Sequence, residues 1–167
     1  LMSDAEDIID LGVRLGATVS VAESLTGGEV SSQLVAVAGA SRVFRGSVVA
    51  YDPLVKNDLL GVDAGNLASN GAVSARVAIE MAEGVRERLG TDYGLATTGV
   101  AGPDPEPVSG QLPGVVFIAV AGSGLGTLVR QLALSGNRKE IRAGATRAAL
   151  QALKDAMAHD RDSGTLP

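Results

Sequence analysis

The most constraining feature of this sequence is a strand-like apolar run that passes directly into a helical pattern. Residues 17–22 form the apolar run, and it ends abruptly in the glycine-rich segment Glu23–Gly28. A strand that turns at once into a helix is the building unit of α/β folds. Unpaired N–H groups and the positive end of a helix dipole lie at such a turn, so it suits either an anion or a nucleophile whose product is an oxyanion. Local sequence leaves both uses open for Ser24.

Periodicity predicts an alternating order of helices and strands along the whole chain. Ser3 and Asn137, each followed three residues later by a glutamate, predict capping boxes at the starts of the first and last helices. The helices are predicted at 3–15, 26–38, 53–60, 74–89 and 137–158, and the strands at 17–22, 43–51, 92–98, 114–121 and 126–134. Glycines at 122 and 124 predict that the last two strands form an antiparallel hairpin. This order predicts a three-layer α/β/α sandwich on a mixed, mostly parallel sheet of about five strands.

Composition limits the classes of protein that this chain can belong to. With 167 residues, 46% of them hydrophobic, the chain can bury one core, and we expect a single domain over residues 3–158 with a frayed tail at 159–167. Apolar runs of about six to nine residues are too short to span a bilayer, and no leader pattern precedes Ser3. With no cysteine in the chain, we therefore expect a cytoplasmic protein with no membrane partner. The net charge of −5 argues against nucleic-acid binding.

A second glycine-rich turn, at residues 97–103, closes the predicted strand 92–98. In open α/β sheets, ligands bind where the carboxyl ends of strands meet loops, so both turns are expected to face one pocket. The alternative is that these glycines only permit tight turns. Neither segment matches a phosphate-binding loop or a dinucleotide fingerprint.

A nucleophilic serine needs a base, and histidine is a poor candidate for that role here. The single histidine, His159, lies in the predicted tail, which argues against a Ser-His-Asp triad. A buried lysine is the known substitute, because burial favours its neutral form. Lys56 follows a predicted strand end that can approach Ser24, although composition alone favours a solvated surface lysine. Tyr51, at the same strand end, is equally compatible with packing over the sheet edge.

Five ordered motifs identify a family that the chain resembles. They occupy residues 22–28, 39–41, 51–56, 71–74 and 98–103. Together they closely resemble the CinA C-terminal domain, the nicotinamide-nucleotide amidohydrolase family, over about residues 3 to 158. The resemblance implies hydrolysis of the carboxamide of nicotinamide mononucleotide to nicotinate mononucleotide and ammonia, as part of pyridine-nucleotide recycling. It implies no metal and no organic cofactor.

By position, the resemblance makes Ser24 the nucleophile and makes Tyr51 and Lys56 its catalytic partners. Lys56 would then take the serine proton, either directly or through the Tyr51 hydroxyl. Backbone N–H groups near residues 25–27 are the hypothesised oxyanion donors. A non-catalytic nucleotide-binding module and a Ser/Lys hydrolase of another amide remain alternatives.

The resemblance also implies residues that bind the mononucleotide. Arg138, in a cationic segment at the start of the last helix, is the expected phosphate partner, with Arg42 and Arg45 as weaker candidates. Arg142 lies four residues after Arg138, on the same helix face. The remaining expected substrate-binding residues lie in the two turns: Thr26, Gly27, Gly28, Thr98, Gly99 and Gly102. For Thr26, helix capping is the alternative role.

Two further expectations concern assembly and one loop. A homo-oligomer follows from the resemblance, although simple packing on the sheet explains the apolar face of 142–158 equally well. Residues 105–113 are proline-rich and lack the lysine that many relatives carry there. This loop either alters substrate access or is an ordinary stiff surface loop.

Overall fold

The computed structural model describes residues 1–164 of the chain. The strands, numbered β1 to β5 in chain order, are Val19–Glu23, Phe44–Val49, Tyr93–Gly99, Val115–Ser123 and Gly126–Ala133. The helices, α1 to α6, are Asp4–Leu15, Glu29–Val35, Pro53–Leu60, Ala64–Asn70, Ala75–Leu89 and Arg138–Ser163. None of the helices in this part of the chain is both long and apolar enough to cross a membrane.

The five strands form one mixed sheet in the order β2-β1-β3-β4-β5. β1 pairs in parallel with β2 on one side and β3 on the other, and β4 runs antiparallel to both β3 and β5. Four strands therefore share one direction, and their carboxyl ends lie at the same edge of the sheet. The predicted mixed sheet and its terminal hairpin are confirmed.

Helices cover both faces of the sheet, which confirms the predicted three-layer sandwich. Alternate strand residues point to opposite faces, so Val21 and Leu95 enter one core while Ala22 and Ala96 enter the other. The helices α1, α2 and α6 fill the first core, with buried side chains that include Ile8, Val30, Leu34, Ile141 and Leu153. The helices α3, α4 and α5 fill the second, with Leu60, Leu67, Val77, Met81 and Val85.

Small residues let α5 approach the sheet closely in the second core. Gly94 faces α5, and a Cβ atom at this position would collide with the carbonyl oxygen of Ala82. Close packing of this kind leaves little room for β3 to shift. The end of β3, which carries Thr97 and Thr98, is thus held at a fixed position beside β1.

Local capping signals predicted several helix ends correctly. Ser3 and Asn137 each form the expected capping box, with Glu6 and Glu140 respectively. The predicted helix 26–38 is shorter, because α2 covers only Glu29–Val35. Gly27 and Gly28 have φ angles of +59° and +103°, which a helix cannot contain, so the chain completes a turn before α2 begins.

One helix, α4, was not predicted. Asp63 caps it by accepting a hydrogen bond from the backbone N–H of Asn66 at 2.6 Å. Its sequence contains glycine, serine and two asparagines, which have weak helix propensity. Burial of Leu67 in the second core supplies the stabilisation that local propensity lacks.

The last helix is longer than predicted, because α6 continues to Ser163. Asp160 is completely buried and accepts hydrogen bonds from the Tyr93 hydroxyl at 2.6 Å and from the Gly124 N–H at 3.1 Å. This anchor ties the end of α6 to the amino-terminal end of β3 and to the hairpin. The expectation of a frayed tail from residue 159 is wrong up to residue 164, and residues 165–167 lie outside the described part of the chain.

Candidate active site

A cavity of about 460 Å³ opens at the edge of the sheet where the carboxyl ends of the parallel strands meet. Its wall combines the end of β1, the start of α3, the end of β3 and the start of α6. The polar side chains that line it are those of Ser24, Tyr51, Lys56, Thr98, Asp104, Glu106 and Arg138. A larger groove of about 740 Å³ lies between α1 and residues 36–42, but neither Ser24 nor Lys56 lines it. Within residues 1–164, no group of three or more His, Asp or Glu side chains is placed to hold a metal ion.

Ser24 is the first residue after β1, and its backbone is fixed to the neighbouring strand. Its N–H donates to the carbonyl oxygen of Thr97 at 3.1 Å. The Thr97 hydroxyl in turn lies 2.8 Å from the Thr26 hydroxyl, and both threonines are completely buried. Because the main chain is held on both sides, the Ser24 side chain is presented to the cavity with only 7% of the residue exposed.

Lys56 reaches Ser24 from α3. Pro53 occupies the first turn of this helix and Asp52 caps it, so the side chain of Lys56, one turn further on, points back toward β1. The Lys56 Nζ lies 2.8 Å from the Ser24 Oγ, 2.6 Å from the carbonyl oxygen of Ala50 and 3.2 Å from that of Tyr51. The surface-lysine alternative is therefore wrong, since Lys56 is only 1% exposed.

Burial changes the proton affinity of Lys56. Removal from water lowers the pKa of Lys56 from 10.5 to about 8, and the nearby charge of Asp52 opposes this shift. Within residues 1–164, no carboxylate lies at salt-bridge distance from the Lys56 ammonium. A useful fraction of Lys56 is therefore neutral near physiological pH, as a general base must be.

A buried carboxylate fixes the turn that follows Ser24. Glu23 is completely buried and accepts hydrogen bonds from the N–H groups of Val30 and Ser31 at 3.0 and 3.1 Å, and from the Ser31 hydroxyl at 2.6 Å. It thereby satisfies N–H groups in the first turn of α2 that have no partner within the helix. The sequence analysis assigned no role to Glu23. An acidic residue at the buried end of a strand, just before a helix, is the sequence pattern that could have indicated this contact.

The Tyr51 hydroxyl pairs with Arg138. Because β2 ends at Val49, Tyr51 lies in the connection to α3 and not in the strand, and it is 63% exposed. Its hydroxyl accepts a hydrogen bond from Arg138 Nη2 at 3.0 Å, and Arg138 Nη1 donates to the carbonyl oxygen of Gly102 at 2.6 Å. Only the backbone carbonyl of Tyr51 contacts Lys56. The direct Ser24–Lys56 contact needs no relay through the Tyr51 hydroxyl.

The structure brings only some of the predicted substrate-binding residues to the cavity. Thr98, Gly99, Gly102 and Arg138 line it. Thr26, Gly27 and Gly28 do not, because the Thr26 side chain turns inward to Thr97 and the two glycines form the turn that leads to α2. The weaker phosphate candidates Arg42 and Arg45 are not among the lining residues either.

The proline-rich loop forms one wall of the cavity and is firmly anchored. Residues 103–107 line the cavity. Glu106 accepts hydrogen bonds from the Val108 N–H and the Ser109 hydroxyl, and Gln111 donates to the carbonyl oxygen of Val73 at 2.7 Å. The loop therefore borders the cavity, and its influence on substrate access stays a prediction.

The fold and the site together define a class: a three-layer α/β domain with a buried Ser–Lys pair at the carboxyl ends of its parallel strands. The chain belongs to the CinA C-terminal domain family, whose model matches residues 2–157. The resemblance inferred from the five sequence motifs is thus confirmed.

Relatives and solved structures agree with this assignment. The chain is 48% identical to a CinA-like protein from Frankia casuarinae over 90% of its own length, and 49% identical to one from Gloeobacter violaceus over 85%. It spans 34% and 33% of those two proteins, about a third of each.

Crystal structures give the same result. A competence/damage-inducible protein from Agrobacterium tumefaciens superposes with a TM-score of 0.84 at 33% identity, covering 93% of this chain and 97% of that one. A CinA superfamily protein from Klebsiella pneumoniae gives 0.86 at 28% identity, covering 93% and 96%.

Proposed function

We propose that this domain is a serine amidohydrolase that converts nicotinamide mononucleotide to nicotinate mononucleotide and ammonia. The observation that carries the proposal is the 2.8 Å contact between Ser24 Oγ and the buried Lys56 Nζ. This pair lies in a cavity that also contains Arg138, a cation suited to a phosphate group. Family membership supports the proposal, whereas the names of the relatives specify no substrate.

The surroundings of Lys56 suit a proton acceptor. A neutral amine has two N–H donors and one lone pair. The carbonyl oxygens of Ala50 and Tyr51 can take the two donors, which leaves the lone pair facing the Ser24 hydroxyl. Neutral Lys56 then removes the proton as Ser24 Oγ attacks the carboxamide carbon.

The reaction proceeds in two halves. The tetrahedral intermediate collapses when its C–N bond breaks, and Lys56 returns the proton to the nitrogen, which leaves as ammonia. An ester of Ser24 with the nicotinate carbonyl remains. A water molecule attacks this ester while Lys56 takes one of its protons, and that proton then passes to Ser24 Oγ as the C–O bond breaks. The product leaves as the carboxylic acid, which loses its remaining proton to solvent and becomes the carboxylate.

The turn after Ser24 offers an oxyanion donor. The N–H of Gly27 is engaged, since it donates to the Ser24 carbonyl oxygen at 3.1 Å. Among residues 1–164, no acceptor is found for the N–H groups of Leu25 and Thr26. The Leu25 N–H belongs to the residue directly after Ser24, the position that supplies an oxyanion donor in α/β-hydrolases. We assign the Leu25 N–H as the donor to the developing negative charge.

The test is direct incubation of the purified domain with nicotinamide mononucleotide. We expect ammonia and nicotinate mononucleotide to appear in equal amounts, measured by an enzymatic ammonia assay and by chromatography. Binding of the mononucleotide without turnover at high enzyme concentration would instead indicate a regulatory module. Ammonia release only from amides that lack the nucleotide would indicate a different substrate class.

Arg138 provides a prediction about the phosphate. Arg138→Gln is expected to raise KM for nicotinamide mononucleotide by roughly 10- to 100-fold, the loss typical of a charge-assisted hydrogen bond. The effect on kcat should be smaller, because the phosphate is remote from the reacting carbon.

Nicotinamide riboside is the matched substrate control, since it lacks the phosphate that Arg138 is proposed to bind. Its kcat/KM should change little in Arg138→Gln. Arg42→Gln is the matched variant control, because Arg42 lines the groove beside α1 and not the cavity. Equal losses with the two substrates would show that Arg138 does not recognise phosphate.

A further inference from the structure

Arg142, one turn after Arg138 on α6, holds the backbone of the nucleophile turn. Its Nε donates to the carbonyl oxygen of Leu25 at 2.8 Å, and its Nη2 donates to that of Thr26 at 3.2 Å. The same Nη2 lies 3.2 Å from a carboxylate oxygen of Glu29. Arg142 does not line the cavity, so it is not placed to contact the substrate directly.

Peptide-bond geometry links the Arg142 hydrogen bonds to the orientation of the proposed oxyanion donor, the Leu25 N–H. A trans peptide unit is planar, so its C=O and N–H groups point in opposite directions. The unit that contains the Thr26 carbonyl also contains the Gly27 N–H, which donates to the Ser24 carbonyl oxygen. The unit that contains the Ser24 carbonyl ends in the Leu25 N–H. Arg142 holds the first unit together with the Glu29 N–H, which donates to the same Thr26 carbonyl oxygen at 3.0 Å, and so contributes to the direction of the Leu25 N–H.

Close packing at Gly27 is independent evidence that the turn after Ser24 fits closely against the Arg142 guanidinium. A Cβ atom at Gly27 would lie 3.3 Å from Arg142 Nη2, closer than most Cβ contacts in proteins. The φ angle of +59° also favours glycine at this position. Any side chain here would press on the guanidinium.

We propose that Arg142 is a positioning residue that orients the oxyanion donor of the Ser24 turn. The proposal rests on the proposed role of Ser24 as a nucleophile, but it does not depend on which amide is the substrate. Arginine suits this role because its rigid fork can hold two adjacent carbonyl oxygens at once. The two arginines of α6 thus have separate tasks: Arg138 faces the ligand, and Arg142 holds the catalytic turn.

The competing explanation is that Arg142 only ties α6 to α2 through Glu29. Glu29→Gln separates the two explanations, because it removes the charge pair and leaves both carbonyl contacts in place. Arg147→Gln is the matched charge control, since Arg147 is exposed on the same helix. For both variants, the rates of Ser24 labelling and of deamidation are expected to stay within about twofold of wild type, as is usual for surface positions.

The first measurement uses an alkyl fluorophosphonate, which needs no knowledge of the substrate. Ser24 Oγ forms a bond to phosphorus, fluoride leaves, and Lys56 takes the hydroxyl proton, while the phosphoryl oxygen occupies the oxyanion position. Labelling is followed by intact mass and its site by peptide mapping. In Arg142→Gln the second-order labelling rate is expected to fall about tenfold or more, in line with the loss of an oxyanion donor.

The second measurement separates positioning from a purely structural role. Because the oxyanion exists only after attack, Arg142→Gln should lower kcat for nicotinamide mononucleotide while KM stays within about threefold. If Arg142→Gln does not fold, the labelling rate of Arg142→Lys tests the positioning role instead. One ammonium cannot hold both carbonyl oxygens as the guanidinium does, so labelling should still be at least about threefold slower than wild type.

The outcomes distinguish this proposal from the proposed function. Wild-type labelling at Ser24 without deamidation of the mononucleotide rejects the substrate, while the Arg142 comparison still stands. A folded Arg142→Gln or Arg142→Lys variant that labels at the wild-type rate overturns the positioning role. Absence of labelling at Ser24 in the wild type overturns it as well.

Discussion

Ser24→Ala is expected to lower kcat for deamidation by roughly 10⁴-fold or more, the scale seen when a serine hydrolase loses its nucleophile. No acyl-enzyme can form without the Oγ atom, and the remaining groups can only bind the substrate. Ammonia release under single-turnover conditions measures the loss. The free energy of unfolding should change by only about 1 kcal/mol, because a single hydrogen bond is removed.

Ser20→Ala is the matched control for this variant. Ser20 is a completely buried serine of β1, the strand that ends just before Ser24, and its hydroxyl bonds to Thr91 and not to a residue of the cavity. Its activity should remain near that of wild type. If Ser24→Ala keeps more than a few per cent of wild-type activity while mass spectrometry excludes contaminating wild-type enzyme, the covalent mechanism is wrong.

Lys56→Met should have the second largest effect, a loss of about 10³-fold in kcat, within the range for general-base removal. The wild-type kcat/KM should rise about tenfold per pH unit at low pH and level off above pH 8 or so, because only neutral Lys56 accepts a proton and its pKa is about 8. Lys56→Arg should not restore activity, since a guanidinium does not lose its proton in this range.

The same lysine makes the unfolding equilibrium depend on pH. Between about pH 8 and 10.5 the unfolded chain holds a proton on Lys56 that the folded chain has lost. Wild-type stability should therefore rise with pH across this window relative to Lys56→Met, by about 3 kcal/mol in total. Below pH 8 the difference should stay constant.

Lys139→Met, at an exposed position on α6, is the control for both experiments. It should change neither kcat nor the pH dependence of the free energy of unfolding. A rate profile that is flat from pH 6 to 10 would contradict Lys56 as the base.

The parts of the fold that were predictable are those determined by local sequence. Capping boxes, glycine stops and apolar periodicity act within a few residues, so the starts of α1, α3, α5 and α6 and the alternation of strands and helices followed from sequence. The end of α6 did not, because it depends on Asp160 meeting Tyr93, a partner 67 residues away. The helix α4 was missed for a similar reason, since tertiary burial of Leu67 outweighs its weak propensity.

In the candidate site too, some features followed from local sequence and others depend on tertiary packing. Strand ends and family motifs pointed to Ser24, Lys56 and Arg138, and the structure brings all three to one cavity. Sequence could not establish that Lys56 contacts Ser24, because that depends on how α3 packs against the end of β1. It also could not show that the side chains of Thr26 and Arg142 turn toward protein groups outside the cavity.

The long helix α6 makes one side of the cavity rigid. At about 1.5 Å per residue, its 26 residues span nearly 40 Å. One end carries Arg138 at the cavity and Arg142 beside the Ser24 turn, and the other is anchored through Asp160 near the opposite edge of the sheet. Because its far end is anchored, α6 cannot slide along the sheet when a ligand binds. The wall of the cavity that α6 forms, which includes Arg138, is therefore set before any ligand binds.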